Sequence, residues 1–213
     1  MNDLISDLLR GAIIGVSIAA PVGPIGILCI RRTLASGMAA GFCTGLGAAV
    51  ADAVYAAIGA LGITAVTTWL IGNGTPLRAA GIGLLLWIAW STWRSPARDP
   101  NESNDAGASS LLGAFAQTFA LTMANPMTII SFAAIFAGSG LGMAKAVGLD
   151  HAAALVCGAF VGSLAWWLIL SGSVAHLRGR ITPGTLGLIN KLSALILLGF
   201  AAWMASELLA NWR

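Results

Sequence analysis

Charge in this chain is confined to narrow zones. No Asp, Glu, Lys or Arg lies between Arg10 and Arg31, only Asp52 interrupts the stretch from Arg32 to Arg78, and none falls from Leu111 to Ala144 or from Ala152 to Ala175. Each gap is at least as long as the ~20 apolar residues that carry a helix across a hydrocarbon core of about 30 Å. Charged residues make up 9% of the chain and apolar ones 58%, with a mean hydropathy of +0.87, against about 25% charged in a soluble domain. These gaps predict an all-α membrane protein, one transmembrane domain over residues 1–213. The net charge of +3 does not point to nucleic acid, because the cations sit at span ends, where loop bias and snorkelling account for them. Asp3 and Asp7 stand where a secretory leader would be positive, so the first apolar stretch reads as a span.

Six spans are expected: Gly11 to Ile30, Ala39 to Val66, Leu77 to Trp93, Leu111 to Ile135, Ala152 to Gly172 and Leu192 to Leu209. Arg31, Arg32 and Gly37 fall in the first link, Gly72 to Pro76 is a turn signal, and the polar stretch from Arg94 to Ser110 reads as a flexible link. One set of links holds Arg31, Arg32, Arg94, Arg98, Arg178, Arg180 and Lys191; the other ends hold Arg10, Arg78, Lys145 and Arg213. Cytoplasmic loops carry the basic excess, so the first set faces the cytoplasm and both termini lie outside.

Gly11 to Ile30 aligns with Gly113 to Phe132 at an offset of 102, with Pro24 over Pro126. That places the first span over the fourth and divides the chain into repeat one (1–93), a cytoplasmic link (94–110) and repeat two (111–213). A three-span unit repeated in tandem enters the membrane from opposite sides, which makes an inverted repeat. A looser match sets Gly47 over Gly158, Asp52 over Ser163 and Tyr55 over Trp166, and competing offsets exist.

Pro21, Gly23 and Pro24 lie near the middle of the first span, and Asn125 with Pro126 near the middle of the fourth. Proline has no N–H and clashes with the preceding turn, so these prolines should free the carbonyls of Ser17, Ala20 and Thr122. One proline alone would read as a structural kink. Two breaks at matching positions read as the walls of a shared cavity, with helix N-terminal ends at Gly23 and Asn125 offering N–H groups to a carboxylate. Asp52 is the one acid or base well inside a span, and an aspartate there costs about 3 kcal/mol, which makes it a substrate- and proton-binding candidate. Helical spacing puts Gly45, Ala48 or Ala49, Asp52, Tyr55 or Ala56, and Gly59 on one face, with Tyr55 able to reach the carboxylate or its ligand. A buried acid bonded purely for packing is the alternative. Ser163 and Trp166 in the fifth span are candidates for cavity lining, although the Gly158 to Gly162 spacing also suits helix packing. Trp69, Trp90, Trp93 and Trp212 read as interfacial anchors, His151 and His176 as solvated link residues, and Cys29, Cys43 and Cys157 as packing residues. No metal or cofactor site is expected.

The run Pro21-Val22-Gly23-Pro24, then Arg31-Arg32, Gly37, Gly41 and Gly45-Leu46-Gly47 leading to Asp52 and Tyr55, resembles the LysE-type amino-acid exporters, the lysine, threonine and homoserine efflux proteins. Asn125-Pro126 and Gly162-Ser163 to Trp167 extend the resemblance over nearly the whole chain. It implies a non-enzymatic bacterial inner-membrane exporter of amino acids or close derivatives, driven by proton antiport. Val22 departs from the direct Pro-Gly-Pro run of many members, and a lone membrane acid favours a neutral or small substrate. Lipid and a second copy of the chain are the other partners expected. Two functions compete. A divalent-cation exporter would want several converging ligands where this chain has one aspartate. A thiol–disulfide electron carrier needs a reactive cysteine in each half, but Cys29 aligns with Ser131.

Overall fold

The computed structural model describes residues 2–21, 23–61, 72–95, 108–125, 128–129, 131–132 and 144–210. They form seven α-helices and, among the described residues, no strand: α1 (Asn2–Ala19), α2 (Pro24–Ser36), α3 (Met38–Ala60), α4 (Gly74–Trp93), α5 (Ala108–Met123), α6 (Ala144–Leu177) and α7 (Pro183–Ala210), with a 3₁₀ turn over Arg178–Arg180.

The first predicted span is two helices. α1 starts at Asn2, well before Gly11, and the chain bends by 81° into α2 across the proline segment. Pro24 occupies the first turn of α2, where its missing N–H costs nothing, so the helix restarts there. Arg31 and Arg32, expected in a link, lie inside α2; the link to α3 is Gly37 alone, at a φ of +87° that glycine adopts without strain. Other boundaries shift for similar reasons. α4 begins one turn early because Pro76 is tolerated in a first turn. α7 begins at Pro183 rather than Leu192, since Thr182 caps it: its Oγ1 accepts the Thr185 N–H at 3.2 Å. α6 contains the expected span and kinks at Gly148, whose φ is +76°. The end of the second expected span and most of the 94–110 link lie outside the described residues.

Among the described residues, three helical segments are individually long and apolar enough to cross a membrane: α3, Gly148–Arg180 and α7; the bent α1–α2 pair taken together is a fourth. α4 carries Pro76 and Arg78 in its first turns, and α5 stops at Met123. These two fall short of that standard singly, so among the described residues helix length and hydropathy identify up to four spans of the six expected.

α1 runs parallel to α6 at a separation set by glycine. A Cβ on Gly11 or Gly15 would overlap the carbonyls of Leu155 or Ala159, and one on Gly158 or Gly162 those of Leu8 or Ala12. Two small-xxx-small faces thus interlock, the packing that replaces hydrophobic drive between helices in lipid. α3 packs against both α5 and α6, Gly47 meeting the Phe115 carbonyl, while α4 pairs with α7. The parallel run also brings Asp7 to His151, whose Nδ1 lies 2.6 Å from Asp7 Oδ2, with Arg10 Nη1 3.7 Å from the other oxygen. His151 is therefore a helical residue paired across the α1–α6 seam, not a solvated link residue. At the opposite end Arg31 Nη1 donates to Ser95 Oγ at 3.5 Å and Arg178 Nε to the Leu34 carbonyl at 3.3 Å. The ends of α2, α4 and α6 and their arginines are thereby gathered on one side.

Candidate functional site

Where α1 breaks into α2, the chain opens a cavity of about 80 Å³. The break contributes Pro21, Gly23 and Pro24; α3 contributes Ala48 and Asp52; the end of α5 and the residues after it contribute Thr122, Asn125 and Thr128; and Trp167 of α6 closes one wall. An ordered water needs roughly 10–15 Å³ on this measure, so the space suits several waters or a small ligand.

Asp52 is 3% exposed, and its Oδ2 accepts a 2.7 Å hydrogen bond from Ser163 Oγ, which in turn accepts one from Trp167 Nε1 at 3.2 Å. Ser163 and Trp167 are four residues apart on α6, one above the other, so a single helix face presents both. Gly45 of α3 lets Trp167 lie against the helix backbone, since a Cβ there would overlap the indole. The acid thus receives a neutral hydrogen bond and faces a cavity, an arrangement that leaves carboxylate capacity for a cation or a proton.

α2 enters the cavity N-terminus first. Gly23 has no side-chain cap and Pro24 no N–H, and Ile27 is the first residue to bond back, to the Gly23 carbonyl at 3.1 Å. At the offset of 102, Ile129 N–H bonds the Asn125 carbonyl at 3.3 Å, so the two breaks resume helix at corresponding residues.

The structure brings together Pro21, Gly23, Pro24, Asp52 and Asn125 in the cavity wall, with Ser163 bonded to Asp52. Pro126 lies outside the described residues. Tyr55 and Trp166 are not among the lining residues. The Tyr55 hydroxyl, expected near Asp52, donates instead to the Met123 carbonyl at 2.6 Å, and its ring packs on Phe132 at 5.9 Å. The Thr122 carbonyl, expected to be freed, accepts the Asn125 N–H at 3.1 Å; the last turn of α5 tightens, and the carbonyl needing an outside donor is the next one, Met123. Tyr55→Phe should take the side-chain donor from that part-buried acceptor and lower stability by about 1 kcal/mol. A thermal unfolding midpoint equal to wild type would count against this brace.

The family described as LysE type translocator matches residues 16–208. The chain belongs to the LysE type translocator family. The chain is also 32% identical over 108 residues to the "Uncharacterized membrane protein YahN" of Escherichia coli (strain K12), a match spanning 50% of this chain and 48% of that relative, about half of each. Its similarity to the "Putative amino acid efflux protein YcgF" of Bacillus subtilis (strain 168) is lower, 23% over 195 residues, but covers 92% of this chain and 93% of that one. No solved structure matches.

Sequence reasoning passed over two features of this translocator. Trp167 rather than Trp166 lines the cavity, and the signal was its spacing of four from Ser163. Arg32, counted as a link cation, turns inward: its guanidinium donates to Thr44 Oγ1 at 3.0 Å, the Ala114 carbonyl at 3.1 Å, Thr118 Oγ1 at 3.4 Å and Gln117 Oε1. Gln117 and Thr118 are polar residues inside an apolar helix, a signal that α5 faces something charged.

Proposed function

We propose that this translocator exports amino acids or close derivatives, small or neutral ones in particular, across the bacterial inner membrane by proton antiport. The observation that carries it is the cavity in which Asp52, held by Ser163, faces the uncapped N-terminal end of α2 in a chain of this family. Asp52 binds the substrate amine or a proton in alternation, and the Ile25 and Gly26 N–H groups at the α2 start bind the carboxylate. The size of the cavity and the single acid among its described lining residues support a small substrate with one positive group.

Alternating access then rests on repeat one (1–93) rocking against repeat two (111–213), six spans in all. Supporting it, α1 packs on α6 as α5 packs on α3, the exchange that an inverted repeat requires, and Asp52 and Ser163, superposed by the looser match, bond to each other. Gly47 and Gly158, also superposed, both sit where helix backbones come closest. The arginines gathered at the ends of α2, α4 and α6 support a cytoplasmic placement of that side and external termini. Lipid surrounds the bundle, and a homo-oligomer fits its exposed apolar faces.

Cells expressing the protein and loaded with a dipeptide panel are expected to release one class of amino acid faster than cells without it, read by mass spectrometry of the medium. In proteoliposomes, release should accelerate with an inward proton gradient. Release indistinguishable from the empty control across the panel would end the amino-acid reading.

A further inference from the structure

Arg32 is a cation held in the helix bundle by uncharged groups. Among the described residues every hydrogen-bond partner of its guanidinium is a neutral oxygen, from Thr44 on α3 and from Ala114, Gln117 and Thr118 on α5. A charge withdrawn from water is compensated best by an opposite charge, and guanidinium geometry matches a carboxylate in two parallel bonds of roughly twice the strength of neutral ones. Arg31 stands beside it with its Nε buried and without an acceptor.

The position matters as much as the chemistry. Thr44 is one helical turn from Ala48, and Thr118 one turn from Thr122, and both Ala48 and Thr122 line the Asp52 cavity. On two separate helices the guanidinium is therefore anchored one turn, about 5.4 Å, from the cavity wall. Thr44 and Asp52 are eight residues apart on α3, about 12 Å along its axis, too far for one small amino acid to bridge. The arginine-rich ends of α2, α4 and α6 lie on the same side.

We infer that Arg32 forms a carboxylate-binding subsite below the Asp52 cavity, where the carboxylate of an incoming amino acid displaces the Gln117 and Thr118 oxygens before the substrate moves on to Asp52. This rests on the proposed amino-acid export. The displaced contacts are two of those that join α2 to α5, so occupation of the subsite loosens that junction.

The test is ligand-dependent thermal unfolding of the purified full-length protein with each of the common amino acids, their carboxamides and propionate. Wild type, Arg32→Lys, Arg32→Gln and Gln117→Ala are compared. In wild type the acid is expected to bind about tenfold or more tighter than its amide. That gap should shrink severalfold in Arg32→Gln and be partly kept in Arg32→Lys. Gln117→Ala removes a competing acceptor and should tighten acid binding a fewfold with the amide unchanged, a gain that misfolding cannot mimic. Propionate should compete with the acid in wild type and not in Arg32→Gln. Equal binding of acid and amide by wild type, or an acid preference untouched by Arg32→Gln, overturns the subsite and leaves export standing. If no amino acid binds wild type at all, the export reading falls and the subsite with it.

Discussion

Asp52→Asn is expected to cut amino-acid release to about a tenth of wild type or less while the protein accumulates normally. The asparagine keeps the volume of the side chain, and its amide oxygen can still accept the Ser163 hydroxyl that now bonds Oδ2 at 2.7 Å. What disappears is the charge, and a charged hydrogen bond to a substrate amine is worth about 1.5–3 kcal/mol, or more than tenfold in affinity. Stability should move the other way. An aspartate at mid-membrane costs about 3 kcal/mol to insert, so the neutral variant is expected to melt at the same temperature or higher. The paired measurement is export from dipeptide-loaded cells and the unfolding midpoint of the purified protein. Loss of both together would make Asp52 a packing residue, and unimpaired export would remove it from the mechanism.

Gly15→Leu is expected to abolish well-folded protein. Even the first atom of a side chain there would overlap the Ala159 carbonyl and crowd the Ser163 N–H, and these are backbone atoms of a helix that cannot step aside alone. Overpacking costs about 1–3 kcal/mol where side chains can yield, and more where backbones collide, out of total stabilities of roughly 5–15 kcal/mol. Separating α1 from α6 would also part the Asp7–His151 pair. Gly199→Leu on α7 is the control, because a Cβ there meets no atom within 4 Å. Size-exclusion profiles should show aggregate or no protein for Gly15→Leu and a wild-type peak for Gly199→Leu. Similar peaks for both would refute the glycine seam.

Much of this was legible before any coordinates. The charge-free gaps announced membrane helices because lipid tolerates few charges, and mid-span proline announced breaks because it removes a helical donor wherever it stands. Asp52 stood out for the same reason. Boundaries were harder. Arg31 and Arg32 looked like link residues because charge usually marks a span end, yet α2 continues to Ser36, since Arg32 finds acceptors on α3 and α5. Thr182-Pro183 is a helix start legible in the sequence, lying nine residues before the charge-free run that begins at Leu192.

Local rules of this kind act through neighbours along the chain, and residue order alone suffices for them: an apolar helical chain, broken at Pro21–Pro24 and again near Asn125, with one acid in the second span. Partnership across the bundle follows different rules. The Tyr55 hydroxyl donates to the Met123 carbonyl, Trp167 takes the wall that Trp166 was expected to line, and His151 meets Asp7 from 144 residues away. Each of those outcomes depends on the rotation and depth at which two helices meet. In lipid these are set by where glycines allow close approach, Gly11, Gly15, Gly158 and Gly162 between α1 and α6, Gly45 against Trp167 of α6 and Gly47 against α5, a geometry that exists only once the helices are packed.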